Sequence, residues 1–145
     1  MAMPHEAMYQ HIVEQVSDGI VFADREGIIR VWNGGAEAIF GHTATEAIGQ
    51  NLDIIIPERF RDQHWKGYDA ALASGKTKYA RQALVTRSMR KDGATIYVEL
   101  TFALLKDQGG VTKGAVAAVR DVTARFAQER ALRQRITELE KQLKP

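Results

Sequence analysis

The sequence predicts an α+β domain with a single antiparallel sheet, and three observations lead to this expectation. Two short apolar segments near the N-terminus are joined by a polar turn, as in a β-hairpin. Several short segments with helical spacing and helix-capping residues follow them. Three more strand-like segments then occur one after another, separated by turns that contain Asp and Gly. Strands at both ends of a chain with helices between them favour an α+β arrangement.

The first two strands are predicted over 19–24 and 27–32, with residues 24–27 (DREG) as the turn between them. A short amphipathic helix is predicted before them, over 6–16. Its apolar residues recur at helical spacing and are Met8, Ile12, Val13 and Val16.

Helix-capping residues predict two short helices after the hairpin. Asn33 suits the N-cap of a helix that runs to Phe40, because its side chain can accept a hydrogen bond from a free backbone N–H. Gly41 suits the end of that helix. Thr43 and Glu46 have the spacing of a capping box and predict the start of the next helix.

A longer amphipathic helix is predicted from Pro57 to Gly75, and it places His64 on its apolar face. The other residues on that face are Phe60, Tyr68 and Ala71. Trp65 lies about 100° round the helix from His64, so we expect it to pack at the rim. A buried imidazole costs free energy unless its ring nitrogens find partners. A hydrogen bond from Tyr68, a backbone carbonyl or coordination to iron would each satisfy it.

The last three strands are predicted over 78–88, 95–104 and 113–120. The middle one alternates strictly between apolar and other residues, which is typical of a strand with one buried face. Its apolar residues are Ile96, Val98, Leu100, Phe102 and Leu104.

The C-terminal segment 121–144 is predicted as a charged helix with one apolar stripe. The stripe residues are spaced four, three and four apart and are Leu132, Ile136, Leu139 and Leu143. This spacing is that of a coiled-coil seam, although it covers only about two heptads. We therefore expect a dimerising or signal-carrying helix. The alternative is a helix that packs on its own domain.

Composition excludes several classes of function. The chain has 20 basic and 18 acidic residues, a net charge of +2, which gives no reason to expect nucleic acid or a membrane surface as partner. It has no cysteine, so disulfides, thiolate metal sites and cysteine nucleophiles are excluded. No apolar run approaches the roughly 20 residues of a membrane span. The lack of a membrane span and of cysteine leads us to expect a cytoplasmic protein. No nucleophile–base pair or phosphate loop is visible, so we do not expect an enzyme.

The order of these features resembles a PAS domain over about residues 8–124. The matching segments are GIVFADREGIIRVWNGGAEAIFG, RKDGATIYVELTFALLKD and the exit motif Asp121-Val122-Thr123. The resemblance implies a five-stranded antiparallel sheet with short helices and one long helix on one face, and a cavity between the sheet and the long helix. It also implies a division into an N-terminal helix (1–17), the PAS domain (18–121) and a signalling helix (122–145).

Within that family, His64 occupies the position of the histidine that binds iron in the haem-binding PAS domains of bacterial oxygen sensors. The count from Ile56-Pro57 to the histidine matches, and so does the count from the histidine to Gly75. The resemblance therefore implies b-type haem with His64 as the proximal iron ligand. Gly67 and Tyr68 lie one turn along the helix, where they would line the cofactor site.

The distal side departs from the family pattern. Oxygen-sensor kinases carry an arginine where this chain has Leu84, and direct oxygen sensors carry a methionine where it has Gln82. Leu84, Leu100 and Phe102 would form an apolar wall, and Gln82 could donate to a bound diatomic gas if it turned inward. Such a wall suits carbon monoxide or nitric oxide better than oxygen, because bound oxygen carries negative charge and favours a donor.

Other functions remain open at this stage. The domain could be a cofactor-free dimerisation and relay module, or a receptor for another small ligand, including flavin. Photochemistry through a flavin–cysteine bond is excluded because the chain has no cysteine. In each case we expect a homodimer formed through the N- and C-terminal helices, acting on an output domain or partner that the sequence does not identify.

Overall fold

A computed structural model of the protein describes residues 4–77 and 82–144. The helices and strands that these residues form are, in chain order, α1 (His5–Gln15), β1 (Gly19–Asp24), β2 (Ile29–Trp32), α2 (Gly34–Phe40), α3 (Ala44–Ala47), a 3-10 helix (Leu52–Ile55), α4 (Glu58–Ser74), β3 (Leu84–Met89), β4 (Thr95–Lys106), β5 (Thr112–Asp121) and α5 (Thr123–Leu143).

The strands form one five-stranded sheet in the order β2-β1-β5-β4-β3, with every neighbouring pair antiparallel. The last strand in the chain, β5, therefore lies at the centre between the N-terminal and C-terminal hairpins. This arrangement confirms the predicted α+β plan with a single antiparallel sheet.

The hydrophobic core lies on one face of the sheet, which we call the inner face. Alternate residues of the strands point into it, and the short helices and the 3-10 helix cover it. The largest fully buried apolar side chains are Trp32, Phe40, Ile29 and Val98.

The helix-capping predictions are confirmed. Asn33 is the N-cap of α2 and accepts a hydrogen bond from the backbone N–H of Ala36, and Gly41 ends that helix in the left-handed region at φ 84°. Thr43 and Glu46 form a complete capping box at the start of α3.

Two strands begin later than predicted, and one short element was not predicted. The strand predicted over 78–88 begins at Leu84, where its pairing with β4 begins; Gln82 and Ala83 precede it, and 78–81 lie outside the described residues. β2 begins at Ile29 instead of Gly27, because Gly27 (φ 78°) still belongs to the turn. The 3-10 helix was not predicted, since a single turn is too short to show helical periodicity.

The two terminal helices leave apolar side chains exposed. α1 buries none of its residues, and Met8, Tyr9 and Ile12 are 46%, 65% and 52% exposed. The stripe of α5 does not pack on its own domain either, because its four apolar residues are 41–84% exposed.

Asn33 connects four segments of the fold through its buried side chain. The amide nitrogen donates to the carbonyl oxygens of Val13, in α1, at 2.6 Å and of Asp18 at 3.0 Å. The amide oxygen accepts from the backbone N–H groups of Ile20, in β1, at 2.8 Å and of Ala36, in α2, at 2.9 Å. All hydrogen-bonding positions of this amide are therefore used.

Replacement of Asn33 by Ala is expected to lower the free energy of unfolding by about 3 kcal/mol, because each buried group left without a partner costs about 1–3 kcal/mol. Urea denaturation measures this loss. Asn51→Ala is the matched control: Asn51 caps only the 3-10 helix, through Asp53, so its loss should cost about 1 kcal/mol. Equal effects of the two substitutions would contradict the connecting role of Asn33.

Candidate ligand site on the inner face of α4

α4 presents one half-buried face to the sheet. The helix begins after Pro57 and ends at Gly75, which adopts the left-handed conformation (φ 70°). The residues of the inward face recur at three- and four-residue spacing and are Phe60, Arg61, His64, Trp65, Tyr68, Ala71 and Leu72, of which only Leu72 is fully buried. The inner face of α4 is therefore partly polar and incompletely packed.

The backbone of α4 lies further from the strands than that of α2, so side chains bridge the space between α4 and the sheet. Alanines lie on the inner face of the neighbouring strands β1 and β5. Ala23 is opposite Ala115, and Val21 is opposite Ala117. These alanines extend less from the sheet than larger side chains would, and the Tyr68 side chain of α4 reaches the sheet beside them. In the segment GAVAAVR, every second residue lies on the inner face, so the small side chains there could have been noticed in the sequence.

His64 has a buried ring nitrogen without a partner. Its Nδ1 atom is inaccessible to solvent and has no hydrogen bond among the described residues. Burial lowers the pKa of His64, although the nearby carboxylates of Asp53 and Asp69 partly oppose this shift. The imidazole is therefore held in the neutral form, which is the form that binds a metal.

Tyr68 contacts the sheet and does not bond to His64. Its hydroxyl lies 3.1 Å from the carbonyl oxygen of Ala23 and 2.5 Å from that of Asp24, at the end of β1. Burial and the nearby charge of Asp24 raise the pKa of Tyr68 to about 12. The rings of Tyr68 and His64 are 5.8 Å apart. The Tyr68 hydroxyl is therefore engaged elsewhere and is not the hydrogen-bond partner of His64.

Trp65 belongs to the same aromatic cluster, although the sequence placed it at the rim. Its ring meets His64 edge-on at 4.7 Å and Tyr68 edge-on at 5.2 Å, and it packs against the core. Its indole N–H donates to Asp53 at 2.8 Å. The ring also covers Gly27, where an added Cβ would lie only 2.2 Å from it. Contacts from distant segments therefore bring Trp65 inward.

The predicted apolar wall lies partly on the inner face of the sheet. Leu84 is paired with Leu100 across β3 and β4, and both are half-buried. Leu100 packs against the core. Phe102 follows two residues later on the same face, opposite Ala117.

Two other predicted site residues are exposed. Gly67 lies on the outward side of α4, and no atom lies within 4 Å of the position that a Cβ would take. Gln82 is exposed just before β3. The structure thus brings His64 and Tyr68 together, and it leaves Gly67 and Gln82 in solvent.

The described part of the chain contains no group of three or more His, Cys, Asp or Glu side chains that could hold a metal ion. Nor is any helix in those ranges long and apolar enough to span a membrane. His64 is therefore not a member of a chelating set among these residues. A single protein ligand is sufficient for iron that is already held in a porphyrin.

The profile of the PAS fold family matches residues 7–122. The chain belongs to the PAS family. The five-stranded sheet with helices on its inner face is the PAS fold that the sequence led us to expect.

Curated relatives of this PAS domain are much longer proteins. It is 34% identical to an uncharacterized protein of Azorhizobium caulinodans over 88% of this chain and 17% of that protein. It is 28% identical to the sensor protein FixL of Bradyrhizobium diazoefficiens, over 81% of this chain and 23% of FixL. The oxygen sensor protein DosP of Escherichia coli is 27% identical, over 86% of this chain and 15% of DosP. The chain thus spans less than a quarter of each.

Solved structures share the fold at low sequence identity. A PAS domain from Colwellia psychrerythraea superposes with a TM-score of 0.73 at 22% identity, covering 83% of this chain and 99% of that one. An RNA-binding light-oxygen-voltage receptor gives a TM-score of 0.71 at 20% identity, covering 92% of this chain and 37% of that one.

The lowered pKa of His64 predicts a pH-dependent component of stability. Because the folded-state pKa lies below the usual histidine value of 6.5, the unfolded chain binds the proton more readily. The contribution of His64 to the free energy of unfolding is therefore fully present above pH 6.5 and is lost as the pH falls through the folded-state pKa. Urea denaturation from pH 7.5 to 5 should show a smaller loss for His64→Gln than for the wild type.

His11→Gln is the matched control for this measurement, because His11 is exposed on α1. Its stability curve should follow that of the wild type. A His64→Gln curve parallel to the wild-type curve would show that His64 is not held neutral by burial.

Proposed function

We propose that this PAS domain is the sensory module of a signalling protein and that it binds b-type haem with His64 as the iron ligand. The observation that carries the proposal is a half-buried neutral imidazole with a ring nitrogen that no described group satisfies. It lies on a helix that stands away from the sheet, above strands that carry alanine. These features support a site for a flat, iron-containing group.

Haem bound here would supply an iron centre that takes up a diatomic gas or changes its redox state. The protein's own contribution would be to hold the group and to set the polarity around it. Leu84, Leu100 and Phe102 would provide an apolar wall. The Tyr68 hydroxyl is engaged by backbone carbonyls, so it would not donate to a bound gas. This polarity favours carbon monoxide or nitric oxide over oxygen.

The comparisons support a sensory role more broadly than they support a particular ligand. One similar protein is named an oxygen sensor and another a sensor protein. A structural neighbour is a light-oxygen-voltage receptor, but this chain has no cysteine and so cannot form a flavin–cysteine bond.

A second candidate is a cofactor-free relay module, and one observation favours it. Trp65 and Tyr68 already bridge α4 to the rest of the domain through Asp53 and the end of β1. In that case His64 would be a structural residue of the aromatic cluster, and the output of the domain would be dimer geometry alone.

Hemin titration followed by absorption spectroscopy separates these two candidates. The wild type should give a sharp Soret band, and His64→Ala should bind hemin at least about tenfold more weakly, a loss of about 1.4 kcal/mol. His42→Ala is the matched control, because His42 also has a buried ring nitrogen without a partner but lies beside Trp32. A flat spectrum, or an equal effect of both substitutions, would reject the haem proposal.

We further propose that the domain forms a homodimer through α1 and α5. The exposed apolar stripe of α5 has coiled-coil spacing, and α1 exposes a second set of apolar side chains. The start of α5 is firmly attached to the sheet. Val122 donates from its backbone N–H to the carbonyl oxygen of Tyr97 at 2.8 Å, and Thr123 accepts from the N–H of Tyr97 at 3.0 Å. A displacement of the sheet would therefore reach α5 directly.

Disulfide cross-linking of single-cysteine variants tests both the dimer and the relay. Leu132→Cys should cross-link efficiently between protomers, since the stripe faces the partner in a coiled coil. Gln134→Cys, on the far side of the same helix, should cross-link poorly. Hemin should change the rate at position 132 if the relay exists. No preference for position 132 would reject the dimer, whereas a rate unaffected by hemin would reject the relay.

A further inference from the structure

A groove lies on the outer face of the sheet, on the opposite side from α4. Tyr97 alternates with the buried residues Ile96 and Val98, so its side chain points away from the core. The groove has a volume of about 320 Å³ and lies between the β3–β4 surface and the first turns of α5. Its lining residues are Arg87, Tyr97, Phe126, Glu129, Arg130 and Arg133.

The floor of the groove is a layered stack that fixes its shape. The rings of Tyr97 and Phe126 are 4.0 Å apart and nearly parallel, with an interplanar angle of 13°. The guanidinium of Arg87 lies 5.7 Å from the centre of the Tyr97 ring. This stack attaches α5 to β4 and holds Arg87 beside the helix.

Three arginines line this groove, and none of them has an anionic partner among residues 4–77 and 82–144. No described carboxylate forms an ion pair with Arg87, Arg130 or Arg133. Three neighbouring guanidinium groups repel one another unless an anion neutralises them.

The acidic residue of the groove is directed toward another cation. Glu129 lies 3.8 Å from Arg125, which Glu99 also holds at 2.8 Å. Glu99 raises the pKa of Arg125, as expected for a firmly paired guanidinium. Glu129 therefore does not neutralise the three arginines, and the groove keeps a positive charge.

We propose that this groove binds a small phosphate-bearing anion, clamped between Arg87 on β3 and the pair Arg130 and Arg133 on α5. The guanidinium fork matches the oxygens of a phosphate group, and several forks can share one multiply charged group. A single carboxylate would leave most of the positive charge unmatched. The volume of the groove suits a small molecule, at the lower end of the range for ligand sites.

Such a ligand would regulate the attachment of α5. The anion would join a side chain of the sheet to two side chains of the helix, which would stabilise the first turns of α5 against the sheet. Binding of the anion does not require haem, because the groove and His64 lie on opposite faces of the sheet. It is also compatible with the proposed dimer, since the apolar stripe lies about 100° round α5 from the groove face.

Isothermal titration calorimetry with inorganic pyrophosphate at constant ionic strength tests the proposal. Arg87→Gln and Arg130→Gln should each weaken binding about tenfold or more, because the clamp needs both walls. Arg135→Gln is the matched control. It removes the same charge from the same helix, but Arg135 pairs with Glu138 away from the groove, so binding should change less than about twofold.

Hydrogen exchange gives a second readout that separates a clamp from general attraction. Pyrophosphate should slow the exchange of backbone amides around Phe126 and Arg130 in the wild type but not in Arg87→Gln. Equal weakening by all three substitutions would reduce the site to non-specific charge attraction. An effect of Arg130→Gln without one of Arg87→Gln would reject the two-sided clamp. Absence of binding at millimolar pyrophosphate, or binding only of a poly-glutamate peptide, would also overturn the proposal.

Discussion

The side-chain amide of Asn33 joins segments that are far apart in the chain, and the position of β1 depends on it. It holds the N-terminal end of β1 through Ile20 and sets α2 beside that strand through Ala36. The other end of β1 is held by the Tyr68 hydroxyl, which reaches it from α4. β1 is thus bound at both ends by polar side chains, one from the N-cap of α2 and one from α4, and the Tyr68 contact sets the distance between this part of α4 and the sheet.

The height of α4 has a consequence for His64. With alanines below it, the helix is connected to the sheet by long side chains, and two of the three aromatic residues in its cluster find hydrogen-bond partners. His64 finds none for its buried Nδ1. A buried polar group without a partner costs free energy, so such a residue is expected where function requires it. On the outer face, where α5 leaves the sheet, lie arginines that form no ion pair within the described part of the chain. The two faces of the sheet therefore carry separate candidate sites for small molecules.

Local chemistry explains which features could be predicted from the sequence. The roles of Asn33, Gly41 and the Thr43–Glu46 pair depend on hydrogen bonds within a few residues, so the sequence alone specified them. The strict alternation of apolar and other residues in β4 likewise predicted which face of that strand is buried. The inward position of Trp65 could not be predicted in this way, because Asp53 and Gly27 determine it from distant segments. The partner of the Tyr68 hydroxyl and the arginine groove also depend on how strands and helices meet, so they became visible only in the folded chain.

Resonance Raman spectroscopy of the reduced, hemin-loaded protein tests the central role of His64 most directly. We expect an iron–histidine band that shifts when the protein contains ¹⁵N-labelled histidine. The band should disappear in His64→Gly, where added imidazole should restore an iron–imidazole band. A band that persists in His64→Gly without imidazole, or no such band in the wild type, would contradict the assignment of His64 as the iron ligand.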